Sequence, residues 1–284
     1  MTVLLYPNKD RDPELLWTRR IVRILQDAGI SLCLPAELSL GDSLGLPVRK
    51  AEEHPDFVLA LGGDGTMLSA APYAVEAGVP LAGINLGNIG YLAALEKDEA
   101  ENLPRLLSPE AHITRRMLLS WQILRGDGII AQGEAVNEIV VKNARPSTVL
   151  HLSAESGGRR LYSFRGDGII AATPTGTTAY TLSAGGPVVD PQARAIIVTP
   201  ICAHSLVARS VVLAPEGGAR IELLSSGQGA GILAADGRNS ISLQPGDIVE
   251  CRESRRDLLL ASLKEIPFFD IMRNKLSGEA GESL

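Results

Sequence analysis

Gly62-Gly63-Asp64-Gly65-Thr66 follows directly on the apolar run Phe57-Val58-Leu59-Ala60-Leu61 and leads into Met67-Leu68-Ser69-Ala70-Ala71. A buried strand that breaks into glycines and restarts as a helix suits phosphate. Glycines let backbone N–H groups approach the oxyanions, and the helix N-terminus adds a favourable dipole. Asp64 is the discordant residue, because a carboxylate repels phosphate. Its presence there points to a proton acceptor for a hydroxyl that attacks the phosphate. The same letters also describe a tight turn with Asp64 as helix N-cap.

A second polar cluster runs from Thr173 to Tyr180. It offers hydroxyls from Thr173, Thr175, Thr177, Thr178 and Tyr180, with Gly176 admitting close approach at a helix start. Such a set suits hydrogen bonds to the base and sugar of a nucleoside. Composition alone also describes a Ser/Thr-rich cap before a short helix. Ser183-Ala184-Gly185-Gly186-Pro187 ends that helix. Just upstream, Arg-Gly-Asp-Gly-Ile-Ile at Arg165–Ile170 repeats the hexapeptide at Arg125–Ile130. The first copy lies between two alternating segments and reads as a plain hairpin turn. The second leads into the Thr-rich cluster, which no simple hairpin requires.

The elements that must carry these residues change character along the chain. Thr2–Tyr6, Ile30–Leu34, the run ending at Leu61 and Val79–Ile84 read as strands. Helices are expected from Asp12-Pro13 to Gly29, from about Thr66 to Gly78, and over Lys97–Leu107. Strands alternating with helices predict an α/β domain over residues 1–115, with a Rossmann-like parallel sheet and sites at the strands' carboxyl ends. Both Gly62–Thr66 and a second glycine turn, Asn85-Leu86-Gly87-Asn88-Ile89-Gly90, fall there. After about Arg116 short alternating segments take over: Leu118–Leu124, Ile129–Glu134, Asn137–Lys142, Val149–Glu155 and Arg160–Phe164. Ile196–Thr199, Ser210–Leu213, Arg220–Leu224, Ile241–Leu243 and Ile248–Arg252 follow, interrupted by a helical piece at Thr177–Ser183. This spacing predicts an all-β sandwich over 116–265. Arg252-Glu253-Ser254-Arg255-Arg256 reads as a solvated turn between strands. The amphipathic tail Pro267–Leu276, within 266–284, is expected to pack back on the first domain, with Ser277–Leu284 frayed.

Bulk properties narrow the class. With 284 residues the chain can bury a substantial core and favours two domains. A net charge of -6 argues against a nucleic-acid binder, and 4% aromatic content argues against base stacking. No run of 18 apolar residues is present, so no membrane span is expected, and the first residues read as a strand rather than a leader. Three scattered cysteines, Cys33, Cys202 and Cys251, predict a reducing, cytoplasmic setting. Neither they nor His54, His112, His151 and His204 show metal-ligand spacing, so no protein metal cage is expected.

Taken together the motifs resemble the NAD kinase family. Leu61–Thr66 resembles its first motif, Gly83–Leu92 its second, Asn137-Glu138 its Asn-Glu pair, and Gly166–Tyr180 with Leu182–Pro187 its longest motif. Pro200–Leu206, Asp236-Gly237 and Phe268-Phe269 with Arg273–Leu276 complete the order, so the resemblance spans roughly residues 2–276. The glycine loop alone is shared with lipid kinases of the diacylglycerol and sphingosine type, and a related loop occurs in bacterial phosphofructokinases. Thr173–Tyr180 is the specific part.

The resemblance implies two domains and transfer of a phosphoryl group from ATP or polyphosphate to the adenosine-ribose 2′-hydroxyl of NAD, giving NADP. It implies Asp64 as proton acceptor, and Gly62, Gly63, Gly65 and Thr66 as the cradle of the donor phosphates. A magnesium ion, or another divalent cation, is expected with the donor, held mostly by substrate and water. An ordinary aspartate is a weak base for an alcohol. A loose phosphoryl-transfer transition state tolerates this, since it needs positioning and charge neutralisation more than early deprotonation. Asn137 suits an adenine edge and Glu138 the ribose hydroxyls. Thr175, Thr178 and Ala179 resemble positions around the adenine, Tyr180 can stack or hydrogen-bond, Asp167 resembles a residue facing the nicotinamide nucleoside, and Arg165 balances nearby charge. Thr181, Leu182 and Ser183 complete the expected NAD-binding set, with Asp64 and Gly65 from the first loop. His204 reads equally as a buried structural histidine and as a ligand contact. Asp236-Gly237-Arg238 departs from the family's usual Asp-Gly-Gln, and Asp236 can be read as shaping a hairpin. Thr177 replaces the more usual Ser, and Ala171-Ala172 before Thr173 is a further departure. The family also implies a homodimer or homotetramer, with a neighbouring subunit contributing to the pocket. The alternatives are a lipid kinase sharing the first loop and a non-catalytic NAD-binding regulator.

Overall fold

The computed structural model describes residues 1–49, 54–87, 90–145, 148–226, 231–265 and 268–276. Asn88 and Ile89 of the second glycine turn, Pro267 at the start of the tail and the end Ser277–Leu284 lie outside the described residues. The chain forms two compact units, Met1–Arg115 with Leu258–Leu284, and Arg116–Asp257.

The first unit contains β1 (Thr2–Pro7), α1 (Leu16–Asp27), β2 (Ser31–Cys33), α2 (Gly41–Leu44) and β3 (Phe57–Leu61). It continues with α3 (Asp64–Ala77), β4 (Leu81–Asn85), β5 (Leu95–Glu96) and α4 (Leu103–Leu106). The strands are parallel in the order β5-β4-β3-β1-β2. All five residues of β3 are buried, as a strand covered on both faces requires, and Leu59 and Leu61 join the core with Val3, Leu5 and Ile84. Helix α3 ends on Gly78, whose φ of 68° lets its N–H reach the Ala74 carbonyl. The first helix starts later than Asp12-Pro13 suggests. The buried Asp12 carboxylate accepts the N–H and hydroxyl of Thr18 (both 2.8 Å), so it caps α1 from a position ahead of Leu16. Lys97–Leu107 is a 3-10 turn over Lys97–Asn102 followed by α4, rather than one α-helix.

The second unit is antiparallel. It carries β6 (His112–Arg125, from Arg116 on), β7 (Gly128–Ala135), β8 (Glu138–Asn143), β9 (Leu150–Ser156), β10 (Arg159–Gly166) and β11 (Gly168–Ala172). After α5 (Tyr180–Ser183) come β12 (Ile196–Ile201), β13 (Val211–Leu213), β14 (Ala219–Ser225), β15 (Gly231–Ala235), β16 (Arg238–Leu243) and β17 (Ile248–Ser262). One sheet runs β10-β9-β14-β17 with the β6–β7 hairpin, and the other β13-β12-β11-β8-β15-β16. Leu152, Ile221 and Val249 of the first meet Ile139, Ile169, Val198 and Leu233 of the second in one core, which makes the unit a sandwich. Two of these strands, β11 and β15, are absent from the sequence reading.

Strand β17 also corrects that reading. It passes straight through Arg252–Arg256, where a turn was expected, and its last residues belong to the first unit, with Leu260 beside Leu81 of β4. Partners distant in the sequence hold the segment on the strand. Glu253 binds Arg194, and Arg256 and the Ser254 hydroxyl both reach Glu134. The tail helix α6 (Phe268–Leu276) belongs to the first unit, where the Phe268 ring lies 5.9 Å from that of Tyr91.

Candidate active site

In the first unit the strand–turn–helix forms as its residues dictate. Gly63 is the extended N-cap of α3 and Asp64 its first residue, so Asp64 is not the cap. Instead its carboxylate reaches the segment after the second glycine turn. Oδ2 accepts the Tyr91 N–H (2.9 Å) and Oδ1 the Leu92 N–H (3.1 Å). Gly90 makes this possible, since a Cβ there would lie 2.1 Å from Asp64 Oδ1. Gly62 is required in the same way: a Cβ would meet Thr66 Oγ1 at 2.2 Å. Thr66 is buried, and its hydroxyl accepts a hydrogen bond from Asn8 Nδ2 at 2.8 Å. Gly63 and Gly65 face open space, Gly65 being exposed. The Thr66 N–H closes onto the Gly63 carbonyl at 2.9 Å, so the anion-binding potential of this helix start lies in its Gly63–Gly65 end. Burial and the Asp64 charge both hold the Tyr91 phenol above its ordinary range.

In the second unit Asn137 and Glu138 sit where β7 turns into β8. Asn137 is half-buried and Glu138 buried. Burial, then the Asp236 charge, pushes the Glu138 carboxyl up to about 7. Its Oε2 has no hydrogen-bond partner, nor has Thr175 Oγ1, although both atoms are buried. Buried polar atoms left open in this way mark where a polar ligand would bond. Of the five expected hydroxyls, Thr173 and Thr177 are not free. Thr173 Oγ1 donates to the Val136 carbonyl and accepts from Gly176 N–H, while Thr177 Oγ1 donates to Pro174 and accepts from Val189 N–H. Thr178 Oγ1 donates to the Thr175 carbonyl. Gly176 lies against the Asn-Glu turn so closely that a Cβ would come within 2.1 Å of the Asn137 carbonyl oxygen. Thr175 and Thr178 lie on the same 3-10 turn as Gly176, and Ala179 and Tyr180 follow at the start of α5, with Tyr180 38% exposed. Thr181 points inward: it is fully buried against Gly186, whose added Cβ would meet its Cγ2 at 2.4 Å. Leu182 is half-buried and Ser183 exposed.

Arg165, near the end of β10, and Asp167, the link to β11, are exposed where the chain leaves one sheet for the other. Gly166 and Gly168 permit the crossing, since added Cβ atoms would meet the Ile201 and Val141 carbonyl oxygens at 2.9 and 2.3 Å. The Cys202 thiol is held above its usual range by its hydrogen bond to Asp167, that residue's charge and burial. His204 is exposed, which removes the buried structural reading; its N–H donates to the Arg165 carbonyl at 2.7 Å. Sequence reasoning missed Asn8, the Tyr91 and Leu92 N–H groups and the bonds of Asp236. Of these, Gly90 ahead of Tyr91 was a readable signal for a close approach. Among the described residues no group of three or more His, Cys, Asp or Glu could hold a metal ion, and no helix is long and apolar enough to cross a membrane.

Comparison with known proteins gives the same direction. Residues 3–111 match the ATP-NAD kinase N-terminal domain and residues 136–263 the ATP-NAD kinase C-terminal domain. The NAD kinase of Acetivibrio thermocellus is 36% identical over 282 residues, covering 98% of this chain and 97% of that protein. That of Symbiobacterium thermophilum is 36% identical over 278 residues, covering 95% and 97%. Among solved structures, yeast NADH kinase complexed with NADH aligns with a TM-score of 0.84 at 23% identity, covering 100% of this chain and 89% of that one. An NAD kinase from Archaeoglobus fulgidus in complex with ATP aligns with a TM-score of 0.76 at 24% identity, covering 98% and 99%. At such identities the two structures speak for the fold. With both domain matches in order and full-length relatives above 30% identity, the chain belongs to the NAD kinase family.

Proposed function

We propose that this chain transfers a phosphoryl group to the adenosine-ribose 2′-hydroxyl of NAD, giving NADP, with ATP or polyphosphate as donor. The observation that carries the reading is the Asp64 carboxylate, fixed by two backbone N–H groups at the open start of α3. In the proposed step the ribose O2′ attacks the terminal phosphorus of the donor. The new P–O2′ bond forms as the bond to the leaving phosphate chain breaks, and the hydroxyl proton passes to Asp64. Gly63 and Gly65 offer backbone N–H groups to the donor phosphates and Thr66 its hydroxyl, while Gly62, whose N–H is bonded to the Ile84 carbonyl, lets the loop close on Thr66. A divalent cation enters on the donor as part of that substrate and neutralises charge there. Asn137, Glu138, Thr175, Thr178, Ala179 and Tyr180 hold the adenosine half of NAD, and Arg165 and Asp167 the nicotinamide half. The open Glu138 Oε2 and Thr175 Oγ1 support this assignment. Thr181, Leu182 and Ser183 form the helical wall behind it. We further propose a cytoplasmic homodimer or homotetramer; a strictly monomeric active enzyme in light scattering would end that part of the reading.

The test is an NADP-formation assay on the purified chain with ATP and polyphosphate as alternative donors, and diacylglycerol as alternative acceptor. NADP carrying its new phosphate at the 2′ position is the expected product. Phosphorylated diacylglycerol without NADP would establish the lipid kinase instead, and tight NAD binding without NADP the non-catalytic regulator.

A further inference from the structure

The turn that presents Asn137 and Glu138 is held by two residues from elsewhere in the second unit. Asp236 Oδ2 accepts the Val136 N–H at 2.8 Å, and Oδ1 accepts those of Asn137 at 2.7 Å and Glu138 at 3.2 Å. The Asp236 N–H in turn donates to the Glu138 carbonyl at 2.9 Å. From the other side Thr173 donates its hydroxyl to the Val136 carbonyl at 2.6 Å and its N–H to the Asn137 carbonyl at 2.8 Å. Every backbone N–H and C=O from Val136 to Glu138 therefore ends on Asp236 or Thr173.

The hairpin itself does not call for this carboxylate. Asp236-Gly237 is the two-residue loop between Ala235 and Arg238, with φ values of 47° and 70°. A loop with positive φ at both positions is served as well by Asn or Gly. Burial raises the Asp236 carboxyl above its ordinary range in spite of the three N–H donors and Arg238. A carboxylate kept where the turn does not need it and burial disfavours it is explained by the three N–H groups it receives.

We propose that Asp236 is a positioning residue for the substrate nucleoside: by fixing the Val136–Glu138 backbone it aims the Asn137 and Glu138 side chains, and so sets affinity for NAD without touching the reacting atoms. This rests on the reading that Asn137 and Glu138 face NAD. Asp236→Gly removes the carboxylate and keeps the positive φ, while Asp236→Asn keeps the φ and one acceptor oxygen. Steady-state kinetics on the full chain, with Asn137→Ala as reference, should raise the NAD KM by about tenfold in Asp236→Gly and by less in Asp236→Asn. In both, kcat and the donor KM stay near wild type, and amide exchange at Val136–Glu138 accelerates in the same order. A merely structural residue would lower the active fraction and move kcat, not the NAD KM. An unchanged NAD KM in Asp236→Gly overturns the proposal. If Asn137→Ala is equally silent, the fault lies in the reading of the Asn-Glu pair; if Asn137→Ala raises the KM, it lies with Asp236.

Discussion

Asp64 and Asp236 are both aspartates followed by glycine, and both accept backbone N–H groups from a segment far away in sequence, yet they end in opposite positions. Asp64 takes two such groups and stands on the first turn of α3, beside the exposed Gly65. Asp236 takes three, at the tip of a hairpin, and its own N–H closes the ring onto Glu138. A carboxylate has about four acceptor sites, so Asp64 keeps half of them open while Asp236 is nearly saturated. Backbone donors therefore aim the first carboxylate and consume the second. In the proposed reading the first is a reactant, and the second is part of the scaffold that holds a binding turn.

That contrast can be broken at the residues that create it. The largest effect is expected from Gly90→Ala, because the new Cβ would overlap Asp64 Oδ1 and push the carboxylate off the Tyr91 and Leu92 N–H groups. A misplacement of this kind should lower kcat by about 100-fold, measured as initial NADP formation at saturating substrates. Next comes the scaffold side. Gly168→Ala places a Cβ 2.3 Å from the Val141 carbonyl oxygen, whereas Gly128→Ala, at the matching position of the first hexapeptide, has nothing closer than 3.8 Å. Gly168→Ala should cost about 1–3 kcal/mol in chemical denaturation, and Gly128→Ala no more than about 0.5 kcal/mol. The smallest effect is a pH dependence. The folded Glu138 carboxyl sits at about 7, above its ordinary value of 4.5. The folded state therefore binds this proton more tightly, so the stabilisation is complete below pH 4.5 and is lost as pH rises through 7. Between pH 5 and pH 7.5 the wild-type Tm should fall relative to Glu138→Gln, and parallel melting curves check it.

What the sequence discloses follows the reach of each interaction. The β3–turn–α3 passage was legible because an apolar run, glycine punctuation and a restarted helix are all local signals. The two Arg-Gly-Asp-Gly-Ile-Ile copies show the limit. Gly126 supplies the positive φ of a two-residue hairpin loop between Arg125 and Gly128, as read. In the second copy Gly166 and Gly168 instead let the chain cross between sheets against Ile201 and Val141, contacts that six identical letters do not encode. Arg252–Arg256 looked like a turn because its ion-pair partners Arg194 and Glu134 lie far off in the sequence. Strands β11 and β15, Gly168–Ala172 and Gly231–Ala235, are short and rich in Gly and Ala, so they carry little alternation. In the candidate site the residue types proposed to face ligands were readable. The clamps that aim them, Gly90 for Asp64 and Thr173 with Asp236 for Asn137-Glu138, depend on tertiary contacts.

The most direct test of Asp64 as reactant rather than scaffold is to measure NAD affinity and single-turnover NADP formation on the same preparation of Asp64→Asn. The amide keeps an acceptor oxygen for the backbone donors but is a far weaker proton acceptor. The account predicts an NAD Kd within about threefold of wild type and a turnover lower by roughly 10²–10⁴-fold. Near-wild-type turnover in that variant, or a loss carried entirely by weaker NAD binding, would contradict it.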